Sequence, residues 1–128
     1  MHGKHALVTG GGTGIGLAIA RALAGAGAEV TITGRRIDVL DAAAAGGPRM
    51  YPLVMDVADE TSVRDGFAAA VAARGPVSIL VANAGVAEGR ALHKTDLNFW
   101  RWMMATNLDG AFLTIREALG TMRGLDWG

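Results

Sequence analysis

The 128-residue sequence has no cysteine. It can therefore build neither a disulfide framework nor a thiolate metal site, which fits a reducing compartment, and no metal centre is expected. It also lacks an excess of charge of either sign, since twelve Lys and Arg residues balance twelve Asp and Glu residues. That balance leaves no electrostatic footprint for nucleic acid or anionic lipid, so any charged ligand has to be held locally. Long apolar runs are missing as well. Lys4 and His5 are followed only by Ala6 to Val8 before Thr9 and Gly10 interrupt, which is too short for a signal-peptide core or a membrane span. The cytoplasm is the expected location. The 19 glycines fall in periodic segments and at turns, without a linker or low-complexity tract, and 51% hydrophobic residues suffice for one domain with a substantial core.

The order of elements follows from local patterns. His5 to Val8 reads as a buried strand that runs into glycines. A helix over about residues 14 to 25 follows, with Ile15, Ala18, Ile19, Ala22 and Leu23 at helical spacing and Gly25 and Gly27 at its end. The β-branched run Val30 to Thr33 predicts a second strand. The cycle repeats with a short helix over Ile37 to Ala45, a strand over Met50 to Met55, a helix over Glu60 to Ala73 and a fourth strand over Val77 to Ala82. Strict alternation of strand and helix predicts right-handed crossovers and an α/β, doubly wound parallel sheet. The chain then forms one long fourth helix from about Leu97, with Trp100, Met104, Leu108, Phe112, Ile115, Leu119 and Met122 spaced by threes and fours. Such a stripe faces a core or a partner, core packing being the commoner use.

Between the first strand and helix stands Thr9-Gly10-Gly11-Gly12-Thr13-Gly14-Ile15-Gly16. Gly10 can make the sharp exit from the strand, a residue without a side chain near positions 12 to 14 lets backbone approach a pyrophosphate, and Gly16 lets the helix pack closely on the sheet. Free N–H groups in the first helical turn, at the positive end of the helix dipole, then face the phosphates. A P-loop is excluded, because no Gly-Lys-Ser or Gly-Lys-Thr follows. A turn that only reverses the chain is the alternative, but strand before, helix after and a surrounding βαβ unit are the context that phosphate binding requires.

These residues resemble the short-chain dehydrogenases/reductases, whose Thr-Gly-x-x-x-Gly-x-Gly motif is matched by Thr9, Gly10, Gly14 and Gly16. Three more motifs follow in order. Asp56-Val57 is similar to the family's adenine-contacting pair, and Asn83-Ala84-Gly85 to the segment that supports the sheet and lines the nicotinamide-ribose side. Asn107, in Thr106-Asn107-Leu108, resembles the catalytic asparagine that distorts the long fourth helix and helps hold a proton-relay water. The resemblance implies a Rossmann fold and hydride exchange with a carbonyl or secondary alcohol, reduction of 3-oxoacyl thioesters being one common case. It also implies a homo-oligomer joined through the fourth helix.

In NAD-binding folds an acidic residue about 20 positions past the loop binds the ribose 2′-hydroxyl. Gly34 stands there, and Arg35 and Arg36 follow. A guanidinium can pair bidentately with a 2′-phosphate that a carboxylate repels, which favours NADP(H) and leaves NAD(H) possible. Paired arginines after a strand can equally form a solvated turn, the glycine loop carries Thr13 where many NADP-preferring relatives have a basic residue, and Asp38 in the next helix is a further candidate for the ribose. The family's serine and Tyr-x-x-x-Lys are not found. Tyr51 is followed four residues later by Met55 and reads as structural. A fourth strand as apolar as Ser78 to Ala82 needs a neighbour, so the 128 residues are expected to be the N-terminal part of a single larger dinucleotide-binding domain. A non-catalytic dinucleotide-binding or sensing module is the rival reading.

Overall fold

The computed structural model describes residues 1–128. Four strands, β1 (His5–Thr9), β2 (Glu29–Gly34), β3 (Met50–Val54) and β4 (Ile79–Val81), form one parallel sheet in the order β3-β2-β1-β4. The chain winds from β1 outward to β3, then crosses back to place β4 on the other side of β1. Right-handed crossovers running one way from β1 to β3 and the other way from β3 to β4 put the helices of the two halves on opposite faces. Helices α1 (Gly14–Gly25) and α2 (Ile37–Ala44) cover one face over Ala6, Val8, Val30 and Ile32. Helix α3 (Glu60–Arg74) and the C-terminal helix cover the other over Leu7, with Val63, Phe67, Ala70 and Ala118 in that core. The predicted doubly wound architecture is thus the one observed. Pro52, which cannot donate to a ladder, sits in β3 at the outer edge.

Boundaries differ modestly. β4 has three residues instead of six, although Ser78 N–H already donates to His5 O at 2.9 Å. The predicted long helix comprises α4 (Leu97–Met104), a π-helical turn (Ala105–Asp109) and α5 (Gly110–Met122), end to end.

Two helices turn small residues inward, for one physical reason, and in the fourth helix this departs from the commoner expectation of a bulky core stripe. In α5 the inward residues are Gly110, Thr114 and Ala118, while Phe112 (59% exposed) and Leu119 (53%), with Leu108 (62%) of the preceding π-helical turn, point outward. In α1 the buried residues are Gly16, Ala20 and Ala24, and Ile15 is 75% exposed. Both helices lie so close to their neighbours that only small side chains fit between. A Cβ on Gly110 would stand 2.7 Å from Val57 Cγ2. Of the bulky stripe of the fourth helix, Met122 packs against the core at the helix end, while Trp100, Leu108, Phe112, Ile115 and Leu119 stay exposed.

At the opposite end of the sheet from the glycine turn, His5 is buried. Its Nδ1 lies 2.8 Å from Gly75 O and its Nε2 2.8 Å from Thr31 Oγ1. A carbonyl can only accept, so Nδ1 carries the proton and neutral Nε2 accepts from the threonine hydroxyl. Burial pushes the imidazole below the ordinary histidine range, outweighing the hydrogen bond to Gly75; Arg74 lowers it further and Glu29 opposes. The unfolded chain binds this proton near pH 6.5 and the folded chain resists it. Stability is therefore full above about pH 6.5 and falls below it, by at most about 1.4 kcal/mol per pH unit until the lowered folded value is reached. Urea unfolding at pH 7.5, 6.5 and 5.5 should show this slope, and H5Q should flatten it.

Candidate functional site

The strand order reverses between β1 and β4, and a crevice of about 260 Å³ opens there at the carboxyl ends of the strands. This is where open α/β sheets bind ligands. Of the sequence-predicted binding residues, Gly10, Gly12, Thr13, Arg35, Arg36, Asp56, Val57, Ala84 and Gly85 line it. Thr9, Gly14, Ile15, Gly16 and Asn83 do not. Asp38 stays outside, in the exposed first turn of α2.

The glycine turn owes its shape to specific contacts. Gly10 has φ +64°, the left-handed region that disfavours a side chain. Gly11 N–H donates to Thr33 O at 3.1 Å and holds the turn against β2. A Cβ on Gly16 would collide with Gly10 O and come within 2.5 Å of Asn83 Nδ2. Thr13 is the extended N-cap of α1 but makes no side-chain cap, and the first turn has no acidic residue. The N–H groups of Gly14, Ile15 and Gly16 have no protein acceptor. Unpaired donors at a helix N-terminus suit a phosphate, so these residues fit the diphosphate of a dinucleotide.

Thr9 and Asn83 frame the crevice from beneath. The buried Thr9 Oγ1 accepts from Asn83 N–H and Ala84 N–H, each at 3.0 Å, and donates to Val81 O at 3.4 Å. Asn83 Nδ2 donates to Thr9 O at 3.0 Å and more weakly to Gly10 O at 3.4 Å. These side chains tie the end of β1 to the end of β4 and hold Ala84 and Gly85 at the wall.

On the other side, Asp56 N–H donates to Ser62 Oγ at 2.9 Å, and Asp56 Oδ1 accepts from Ala58 N–H at 3.0 Å. Oδ2 has no protein partner and is available to accept. Arg35 and Arg36 are exposed, and neither is paired with a carboxylate.

Asn107 lies in the π-helical turn, and its neighbour Thr106 lines the crevice. Its Oδ1 accepts from Val86 N–H and its Nδ2 donates to Val86 O, both at 2.8 Å. The amide thus clamps the backbone just past Asn83-Ala84-Gly85. Thr33, Val39, Leu40, Met55, Val86 and Thr106 line the crevice without having been singled out as binding residues. For Thr33, Met55, Val86 and Thr106 the only signal in the sequence is adjacency to Gly34, Asp56, Gly85 and Asn107. Val39 and Leu40 are brought in by the turn itself, 3.1 and 3.2 Å from where a Cβ on Gly12 would lie. Tyr51 is structural. Its hydroxyl donates to Glu29 Oε2 at 2.5 Å, which with burial raises its pKa, and Arg74 lies 3.5 Å over its ring.

A parallel sheet wound both ways, with a glycine-turned crevice at its switch point, defines a Rossmann-type protein. Within that class the chain belongs to the short-chain dehydrogenase family, whose model matches residues 4–128. It is 40% identical, over its whole length, to an NADP-dependent (R)-specific alcohol dehydrogenase of Lentilactobacillus kefiri, and covers 52% of that protein. It is 40% identical over 88% of its length to a gluconate 5-dehydrogenase of Gluconobacter oxydans (strain 621H), covering 45% of it. Among solved structures it superposes with a TM-score of 0.93 and 37% identity on a Sinorhizobium meliloti 1021 protein assigned as a short-chain alcohol dehydrogenase; 98% of this chain and 52% of that one are covered. The chain thus spans about half the length of the relatives it matches.

Proposed function

We propose that residues 1–128 form the N-terminal part of a single Rossmann domain in an oxidoreductase that exchanges a hydride between NADP(H) and a carbonyl or secondary alcohol carbon. The observation that carries the cofactor preference is the pair Arg35 and Arg36 in the crevice wall, free of carboxylate partners, beside Gly34 where an acidic side chain would favour NAD(H). The NADP-dependent relative supports the same choice, and the alcohol and gluconate dehydrogenases support the substrate class.

In this reading the nicotinamide supplies the hydride chemistry when bound. The amides of Gly14, Ile15 and Gly16 receive the diphosphate, Arg35 and Arg36 the 2′-phosphate, and Asp56 Oδ2 the adenine amine beside Val57. Thr9, Gly10, Gly12, Thr13 and Asn83 shape the turn, Ala84 and Gly85 border the nicotinamide ribose, and Asn107 fixes the Val86 backbone on that side. The exposed Leu108, Phe112, Ile115 and Leu119 stripe is the contact of a homo-oligomer, as an apolar patch of this kind on a helix commonly is. No helix is long and apolar enough to cross a membrane. Fluorescence titration of the full-length protein with NADPH and NADH tests the reading. Tighter binding of NADPH is expected, and failure to bind either would sink it.

A further inference from the structure

Six polar side chains are buried in the chain: His5, Thr9, Thr31, Thr33, Ser78 and Thr114. Five have partners. His5 and Thr31 bond each other, Thr9 bonds the Val81 to Ala84 segment, Ser78 Oγ donates to His5 O at 3.3 Å, and Thr114 Oγ1 donates to Gly110 O at 2.8 Å. Thr33 Oγ1 has none, and it is the only buried side-chain nitrogen or oxygen in the protein of which this is true. An unpaired buried hydroxyl costs about 1–3 kcal/mol and is uncommon in folded proteins.

The exception has a location. Thr33 is the penultimate residue of β2, directly before Gly34 and Arg35, and it belongs to the crevice wall with Met55 and Asp56, which directly follow the neighbouring strand β3. Its backbone carbonyl holds Gly11 of the glycine turn. By strand alternation its side chain shares a face with Thr31, and in the parallel register its neighbours are Thr9 and Leu53. The Thr9 hydroxyl is spent on β4, and leucine offers no polar atom. The protein brings no partner to this hydroxyl at the point where the crevice begins.

We propose that Thr33 is a further binding residue, whose hydroxyl is completed by a hydrogen bond formed only when the adenosine half of the dinucleotide, with any water it traps, lies over the floor of the crevice. This rests on the dinucleotide reading above and adds to it a contact to the part shared by both cofactors, unlike Arg35, which faces the part that differs.

The test uses full-length protein, NADPH and NADH, with calorimetric Kd values and the melting temperature of the free protein. T33V keeps the shape and removes the hydroxyl. It should weaken both cofactors by about tenfold, equivalent to about 1.4 kcal/mol, and leave the free protein at least as stable as wild type. T33S, which restores a hydroxyl, should bind within about threefold of wild type, the loss of a methyl contact being the smaller effect. Wild-type Kd values in T33V overturn the inference while leaving the dinucleotide reading intact. So does a T33V protein that melts lower with unchanged Kd, the mark of a structural water, or weakened binding that T33S does not rescue. If wild-type protein binds neither cofactor, the dinucleotide reading itself fails.

Discussion

Replacing Arg35 with alanine is expected to weaken NADP(H) binding by ten- to about 150-fold while leaving NAD(H) within about threefold. A hydrogen bond to a charged group contributes about 1.5–3 kcal/mol, and one such net contribution for an exposed, solvent-screened guanidinium on a phosphate converts to that range of Kd. NAD(H) has no 2′-phosphate and loses nothing comparable. The neighbouring Arg36 is also exposed and unpaired in the crevice wall, so R35A/R36A should lose more than either single variant. The complementary change is G34D. A Cβ at Gly34 would meet only Leu40, at an ordinary 3.5 Å, so a carboxylate can be added without strain; G34D/R35A should prefer NADH. Calorimetric titration with both cofactors reads the result. Equal losses for the two would mean that the arginines form only a solvated turn.

The second large effect is structural. In G16A the new methyl falls on the Gly10 carbonyl and 2.5 Å from Asn83 Nδ2, neither of which can yield without disturbing the turn or the Asn83 to Thr9 bonds. Overpacking of this kind costs about 1–3 kcal/mol, and with a displaced turn dinucleotide binding should drop below detection. G25A is the control. Gly25 ends the same helix, has open space around its Cβ position and does not require a positive φ, so alanine there should be neutral or stabilise by up to about 1 kcal/mol. Thermal melting of both variants, followed by NADPH titration, separates a defect in the turn from a general weakening of α1.

How much of this was legible depended on the range of the cause. The four strands, the order of elements and the glycine turn could be read because each reflects a local rule: β-branched runs for strands, spacing of three and four for helices, glycine where backbone must turn or approach. The outward Phe112 stripe, for which core packing is the commoner expectation, shows the limit of periodicity. It finds that a helix has an apolar face but does not know the distance to the sheet. Where that distance is short, Gly16, Ala20 and Ala24 or Gly110, Thr114 and Ala118 go inward and the larger side chains are turned out. Within the motif residues, too, the sequence could not separate Gly10 and Gly12, which line the crevice, from Thr9 and Asn83, whose side chains are spent on joining two strands.

The sequence by itself determined the alternation of strands and helices, the phosphate-type turn and the absence of an acidic residue at Gly34, since all of these are written in neighbouring residues. Only the tertiary structure decided that Asn107 clamps Val86 and that Thr33 is left without a partner. Those outcomes depend on what segments 21 or more residues apart bring to one place, and hydrogen-bond partnership across such a distance is set by packing, not by spacing along the chain.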